Sequence, residues 1–442
     1  MSSSTAPNSE EGLVRALGVP GLTANIVNTT IGAGIFALPA AVALKLGAAA
    51  PIAFVICAAA MALFVTCFAL AGSRVSFTGG LYAYVEVAFG RYVGFLTAVL
   101  LYLSAVLSVA GVVTLFAGSV AALIPGLNGP VGRAVLMFVI YAVLAGINIL
   151  GVRAGGRAVA VVTVAKLIPL LGFVVVGLFF IQPAAIAWPG WPDGGTLGAT
   201  VLLLMFAFVG IEVALVPSGE VKNPSRTVPR AIYCALVITT VLYIAIQLAA
   251  QGILGAELSS NPTAPLAEAA GRFLGDLGRT VLLAGATISA FGFVASDMLG
   301  SPRLLFALAR DRTLPAWFGH LHPRYRSPDV AIVAYAVAAF AFSLTSSFEK
   351  LAVMANVAVL LAYLVCCSAA WELMRRDIRS DGAPFTFPGA SFIPPVAVIA
   401  ILWILAHATR VEFQTAGVVL LIASALYLLR VSTAQGKSGT PA

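Results

Sequence analysis

Three ionisable side chains, Lys166, Glu212 and Asp297, stand inside long apolar stretches of the sequence. At membrane depth such groups are costly and functional by default, serving as proton carriers, ion sites or substrate contacts. Lys166 lies nine residues past Arg157, about 13 Å along a helix at about 1.5 Å per residue, too deep for its stem to return the ammonium to an interface. A lysine held there can exchange its proton and is a candidate coupling group. Glu212 follows Gly210 by two positions; a carboxylate is favoured near a half-helix N-terminus, and in a cavity it can titrate or contact a cation. Asp297 is expected to pair with Arg303. The histidines His320, His322 and His407 are not grouped with carboxylates or cysteines at metal-ligand spacing, so no metal site is expected.

Enzymatic chemistry finds no support. No nucleophile elbow, zinc helix or phosphate loop occurs, so no catalytic residue and no cofactor is assigned. Gly32-x-Gly34-x-x-Ala37 fits a dinucleotide fingerprint, which needs a preceding strand and an acidic residue about 20 positions on. The next acidic residue is Glu86, and the apolar run around Gly32 is several times the length of a strand. The nucleotide reading is discarded.

The elements that must position these residues are membrane helices. Of 442 residues, 61% are hydrophobic and only 10% charged, with a mean hydropathy of +1.03, against about 25% charged in a soluble domain. The sequence predicts an all-α polytopic membrane protein in contact with the lipid bilayer. Its twelve spans are placed near 22–46, 50–72, 92–123, 131–151, 158–181, 197–219, 231–254, 280–308, 329–346, 350–372, 392–408 and 412–430. With the N-terminus inside, eighteen of the 25 Lys and Arg fall on inner loops and six on outer ones, leaving Lys166 within a span. That bias follows the positive-inside rule and puts both termini in the cytoplasm and the chain in the cytoplasmic membrane. It also accounts for the net charge of +8 without a nucleic-acid partner, since the basic residues anchor loops along the whole chain. Cys57, Cys67, Cys234, Cys366 and Cys367 all fall in apolar spans and read as small hydrophobes.

Two spans are broken in matching fashion. Ile31-Gly32-Ala33-Gly34 puts poor helix formers in the middle of the first span, with Pro39 seven residues past Gly32; Gly210 and Pro217 repeat that interval in the sixth. Corresponding Gly/Pro-interrupted spans in two halves point to a transporter binding site. The offset predicts equivalent five-helix repeats, and an odd helix number inverts the second in the membrane. The expected division is a disordered tail at 1–15, a first repeat at 16–185, an inverted second at 186–375, two further helices at 376–430, and a tail at 431–442. The segment 257–277 is too polar to span and reads as an external cap.

At such breaks half-helix N-termini offer N–H groups and C-termini offer carbonyls, a match for the carboxylate and ammonium of an amino acid. The candidate substrate site is Thr30, Ile31, Gly32, Ala33 and Gly34 with Phe206, Val209 and Gly210. The N–H groups of Gly32, Ala33 and Gly34 are assigned to the carboxylate, and carbonyls near Thr30, Phe206 and Val209 to the ammonium.

Four stretches carry a family resemblance: Ile31-Gly32-Ala33-Gly34-Ile35-Phe36; Gly79-Gly80-Leu81-Tyr82-Ala83-Tyr84 with Phe89-Gly90; Phe208-Val209-Gly210-Ile211-Glu212 leading to Glu220-Val221-Lys222-Asn223-Pro224; and Pro302-Arg303-Leu304-Leu305-Phe306-Ala307-Leu308-Ala309-Arg310-Asp311. Together they resemble the amino acid–polyamine–organocation superfamily. The resemblance implies a LeuT-type five-plus-five inverted repeat and transport of amino acids or related amines by alternating access. It implies that Phe206 is an aromatic gate over the substrate and that Glu212 matches a position tied to pH response. It implies too that Lys166 fills the place of a sodium ion, facing the eighth span with Ser289 as partner. Ala33 departs from members that carry a hydroxyl there, and Asp297 from relatives with a small residue. The reading is a sodium-independent permease for a neutral amino acid, working by proton symport or exchange. Cationic amino acids and polyamines are the alternative, and a non-transporting sensor or channel a distant one.

Overall fold

Apolar sequence with no water to bond its backbone has one local solution here, the helix, which satisfies each N–H and C=O within its own segment. The computed structural model describes residues 18–75, 80–127, 129–150, 155–211, 224–262, 264–311, 313–379 and 384–438, without the side chains of 122, 123, 125, 155–164, 224–226 and 431–438. All regular structure among the described residues is helical: α1 (Val19–Thr30), α2 (Gly34–Leu46), α3 (Ala50–Gly72), α4 (Leu81–Phe89), α5 (Arg91–Leu123), α6 (Pro130–Leu150), α7 (Gly155–Gly177), α8 (Gly194–Leu204), α9 (Pro224–Leu254), α10 (Pro265–Gly300), α11 (Pro302–Arg310), α12 (Asp329–Thr345), α13 (Phe348–Arg375), α14 (Ile393–Leu405) and α15 (Arg410–Ser438), with short 3-10 turns between some of them. Seven helical stretches are long and apolar enough to cross a membrane: Gly34–Gly72, Arg91–Ala121, Pro130–Leu150, Thr227–Ser260, Pro265–Arg310, Phe348–Arg375 and Arg410–Arg430. Ala165–Phe180, Gly194–Ala207, Asp329–Thr345 and Ala390–Leu405 are apolar but shorter.

α13 is central, packing on α3, α4, α5 and α14. α1 lies on α9, and α7 on α10. Fully buried Phe54, Phe64, Phe68, Tyr243 and Tyr363 fill the core between α3, α9 and α13. Outward faces are apolar as well: Val135, Phe138 and Val139 on α6, and Val418, Leu421 and Ile422 on α15, are exposed at helical spacing. A solvent of lipid, not water, fits such faces.

One boundary differs from the sequence reading. The segment expected as a cap is a 3-10 turn, Gly255–Ser260, followed by the start of α10, which continues into the apolar span past a non-helical Gly275 (φ +61°). Leu266, Ala267, Ala269 and Ala270 of that start are buried, which is why a polar-looking stretch holds a fixed place. The sixth span is described only as far as Ile211, so Glu212, Pro217 and the loop to Asn223 lie outside the described residues, as does Gly79.

Candidate functional site

α1 stops at Thr30 and α2 begins at Gly34, leaving Ile31-Gly32-Ala33 between them. A helix end leaves four carbonyls to be satisfied elsewhere. Val27 O accepts from Ile31 N at 2.9 Å, and Asn28 O from Lys166 Nζ at 2.6 Å. Thr30 O accepts from Gly32 N at 2.8 Å and from the Tyr243 hydroxyl at 3.0 Å. Thr29 O is covered by the backbone of Gly210, where a Cβ would sit only 3.2 Å away. The two broken spans therefore touch at Thr29 and Gly210.

The sixth span is built in the same manner. Asp193 caps α8 by accepting from Thr196 N at 2.9 Å. Its last turn tightens to a 3-10 turn, Met205–Ala207, and Gly210 takes φ +112°, a conformation open to glycine. Asn356 Nδ2 on α13 donates to Leu202 O and Leu203 O at 2.7 and 3.1 Å. The Tyr243 hydroxyl lies 2.9 Å from Ala207 O as well as near Thr30 O, so one α9 side chain serves both breaks.

Between the breaks lies a pocket with an empty volume of about 390 Å³. Thr29 to Ile35, Ile31 excepted, form one wall, and Phe206, Ala207 and Val209 another. Ser108 and Val112 of α5, Tyr243 of α9 and Phe293 of α10 complete it. No charged side chain is among its described lining. Thr30 Oγ1 is buried there with no hydrogen-bond partner among the described residues. The first N–H groups of α2, from Gly34 onward, are of the kind a helix leaves without an internal acceptor, and they carry its positive end. Gly32 N–H is already directed at Thr30 O. Phe206 stands over the start of α2: a Cβ on Gly34 would meet its Cδ1 at 3.1 Å, and its ring meets Phe348 edge-on at 5.5 Å.

Ala33 also borders a second cavity of about 420 Å³, walled by Phe36, by Leu115, Phe116 and Ser119 of α5, by Ala286, Thr287 and Ala290 of α10, and by Ala264 and the buried Leu266 and Ala267 of the cap segment.

The structure thus brings Thr30, Gly32, Ala33, Gly34, Phe206 and Val209 to one pocket, with Gly210 behind it and Ile31 buried in the core. Lys166 is buried and reaches Asn28 O, not Ser289. Ser289, also buried, has a hydroxyl without a partner among the described residues, although α7 and α10 pack together. Asp297 does not pair with Arg303: it is bonded by the Tyr335 hydroxyl and, at 2.9 Å, by Ser301 Oγ. Cys234 is exposed, while the other four cysteines are buried. The sequence does not single out Tyr243, Asn356 or Phe293, and it reads Ser108 only as part of a small-residue packing face. A phenol or amide in mid-span is the available signal for the first two; Phe293 is an ordinary membrane-helix residue.

The family profile for amino acid permeases matches residues 17–420. A serine/threonine exchanger of Bacillus subtilis is 28% identical over 429 residues, covering 93% of this chain and 95% of the relative. A methylthioribose transporter of the same organism is 27% identical, covering 96% and 95%. A branched-chain amino acid permease, also from that organism, is 25% identical, covering 96% and 94%.

Proposed function

The chain belongs to the amino acid permease family, and on that premise we propose that it is a sodium-independent secondary transporter of neutral amino acids, working by proton symport or exchange. It is a multi-pass membrane protein that transports amino acids; the finer reading rests on the pocket. The observation that carries it is a cavity between two helix breaks, with the start of α2 at one edge, the end of α1 and the turn of the sixth span at the other, and no charged described side chain in its lining. Backbone ends of opposite polarity suit a zwitterion, and apolar walls suit a neutral side chain.

In this reading the substrate carboxylate sits on the N–H groups of Ala33 and Gly34, with Gly32 giving the room for close approach. The ammonium is received by carbonyls of the sixth span near Phe206 and Val209 and by Thr30. Phe206 closes over the ligand and opens as the two cavities exchange access. Lys166 acts as a resident cation whose tie to Asn28 O replaces a sodium ion, with Ser289 available across the α7–α10 contact. Glu212 keeps its assignment as a proton-responsive group on sequence grounds. The twelve-span layout, the inverted five-plus-five repeat and cytoplasmic termini complete the proposal. Broken spans in register and the loop-charge bias support it.

The test is thermal stabilisation of the purified protein by a panel of amino acids and polyamines, with and without sodium. A ligand that binds the folded state raises apparent stability by mass action. A shift with a neutral amino acid, the same with and without sodium, is the expected result. A shift only with arginine or polyamines would overturn the neutral-substrate reading, and a sodium requirement would overturn the role of Lys166.

A further inference from the structure

Ala286, Ala290, Phe293 and Asp297 recur on α10 at intervals of four, three and four, which places them along one helix face. The two alanines line the cavity under the cap, and Phe293 lines the substrate pocket. Asp297 comes next, about 6 Å further along the helix at about 1.5 Å per residue. α5 repeats the order in reverse. Phe116 and Ser119 line the first cavity, and Ser108 and Val112 the pocket. Tyr102 then meets Tyr335 edge-on with ring centroids 5.6 Å apart. Asp297 therefore lies on the same path one turn beyond the substrate, on the side away from the cap and toward Arg303 and Arg310.

Its surroundings are made of hydroxyls. Tyr335 of α12, itself fully buried, donates to Oδ2, and Ser301 Oγ donates to Oδ1 at 2.9 Å. The other titratable groups near it are Tyr102 from α5 and Tyr141 from α6, the latter bonded to Ser343 Oγ at 2.9 Å. No Lys, Arg or His forms an ion pair with Asp297 among the described residues. A carboxylate away from bulk water with no cation beside it relieves its charge by taking a proton. Among the described residues no second His, Cys, Asp or Glu gathers with Asp297 into a metal-ligand cluster. The protein leaves Asp297 partly uncovered, so the site is not sealed within the helix packing.

We propose that Asp297, held by Tyr335 and Ser301 one turn beyond the substrate pocket, is a proton-binding site of the transport path. The step is simple: the carboxylate takes a proton from water and becomes a carboxylic acid, with no change of electrons. Ionised, Asp297 holds α10 to α12 through charge-assisted bonds from Tyr335 and to the start of α11 through Ser301. Protonated, those bonds lose their charge assistance and α10 is freed to shift relative to α12, the motion that a gate beyond the pocket requires. This inference rests on the transporter reading above and adds a second carboxylate to its proton coupling.

Infrared difference spectra of the purified protein, titrated from pH 8 to pH 4, read the site directly. The wild type should gain a carboxylic acid C=O band that D297N lacks. Tyr335→Phe keeps the acid and removes one donor to its ionised form, so the band should appear at higher pH. In proteoliposomes under an inward acid gradient, accumulation of radiolabelled L-serine, L-leucine or L-arginine by D297N should fall at least tenfold. Ligand-induced thermal stabilisation reports separately on the pocket and on folding. An unchanged band, or gradient-driven accumulation by D297N at the wild-type level, overturns the proposal. A wild type that takes up none of the three substrates overturns the transporter reading and the coupling with it, while the band still decides whether Asp297 binds a proton.

Discussion

Lys166 Nζ lies 2.6 Å from the carbonyl oxygen of Asn28, so the buried ammonium of α7 is tied to the last turn of α1 just before the break. A cation near a helix C-terminus is stabilised by the dipole, and here it also satisfies one of the four orphan carbonyls. Hydrogen bonds to charged groups contribute about 1.5–3 kcal/mol. Lys166→Met keeps the stem and removes that bond. The expected outcome is a fall in stability of about 1.5–3 kcal/mol, together with uptake reduced at least tenfold and a changed pH dependence between pH 5 and 8. Initial uptake rates across that range check it; unchanged rates would leave Lys166 a structural tie and no coupling group.

Tyr243 offers a single proton to two carbonyls, Thr30 O at 3.0 Å and Ala207 O at 2.9 Å, one at each break. Its ring is packed edge-on against Phe208 at 5.4 Å and Phe54 at 6.3 Å. Tyr243→Phe therefore preserves the packing, takes the hydroxyl donor from Ala207 O and leaves Thr30 O with the Gly32 N–H. A buried polar group left unsatisfied costs about 1–3 kcal/mol. The variant should melt at lower temperature and bind substrate more weakly, because the pocket wall between the two breaks loosens. A melting temperature and KM both equal to those of wild type would show that the hydroxyl holds neither break.

How much of this was legible follows from the range of each signal. Gly32 and Gly34 mark the first break because two poor helix formers in mid-span are a local anomaly, and the structure ends α1 at Thr30 and starts α2 at Gly34. Helix ends were legible to within a few residues wherever apolar runs meet charges, as at Asp329–Thr345 and Phe348–Arg375. Tyr243 is illegible in the sequence because its contact with Thr30 spans 213 positions, and no pattern on α9 announces it. Asn356 is the same case, bonded to Leu202 and Leu203 from over 150 residues away. Sequence proximity pairs Asp297 with Arg303; spatial proximity gives Tyr335, 38 positions distant.

Asp193 gives a pH test outside the membrane-spanning segments. The Thr196 backbone N–H, with help from its hydroxyl, holds the Asp193 carboxyl below the ordinary carboxylate range. A folded-state value below the unfolded one means that the stabilisation is complete above the unfolded value, about 3.9 for aspartate. It is lost as pH falls through the folded value. Asp193→Ala should therefore lower the melting temperature at pH 7, with a deficit that shrinks below about pH 4 as the wild type loses the same contribution. A deficit that stays constant down to acid denaturation would mean that the cap does not depend on charge.

The three glycines of the breaks have distinct surroundings, so their replacements should fail for different reasons. A Cβ on Gly32 meets nothing nearer than Phe293 Cδ2 at 3.8 Å, so Gly32→Ala should fold and melt like wild type while its methyl takes space in the pocket. A Cβ on Gly34 would press on Phe206 Cδ1 at 3.1 Å, so Gly34→Ala should displace the aromatic ring and raise KM. Gly210 has φ +112° and Thr29 O 3.2 Å from a would-be Cβ; Gly210→Ala combines backbone strain of order 1–3 kcal/mol with a backbone clash and should be the least stable of the three. Thermal melts and uptake measured side by side separate these cases. Gly32→Ala transporting at the wild-type rate would place the substrate elsewhere, because a site made of backbone at the break cannot accept a methyl there without loss.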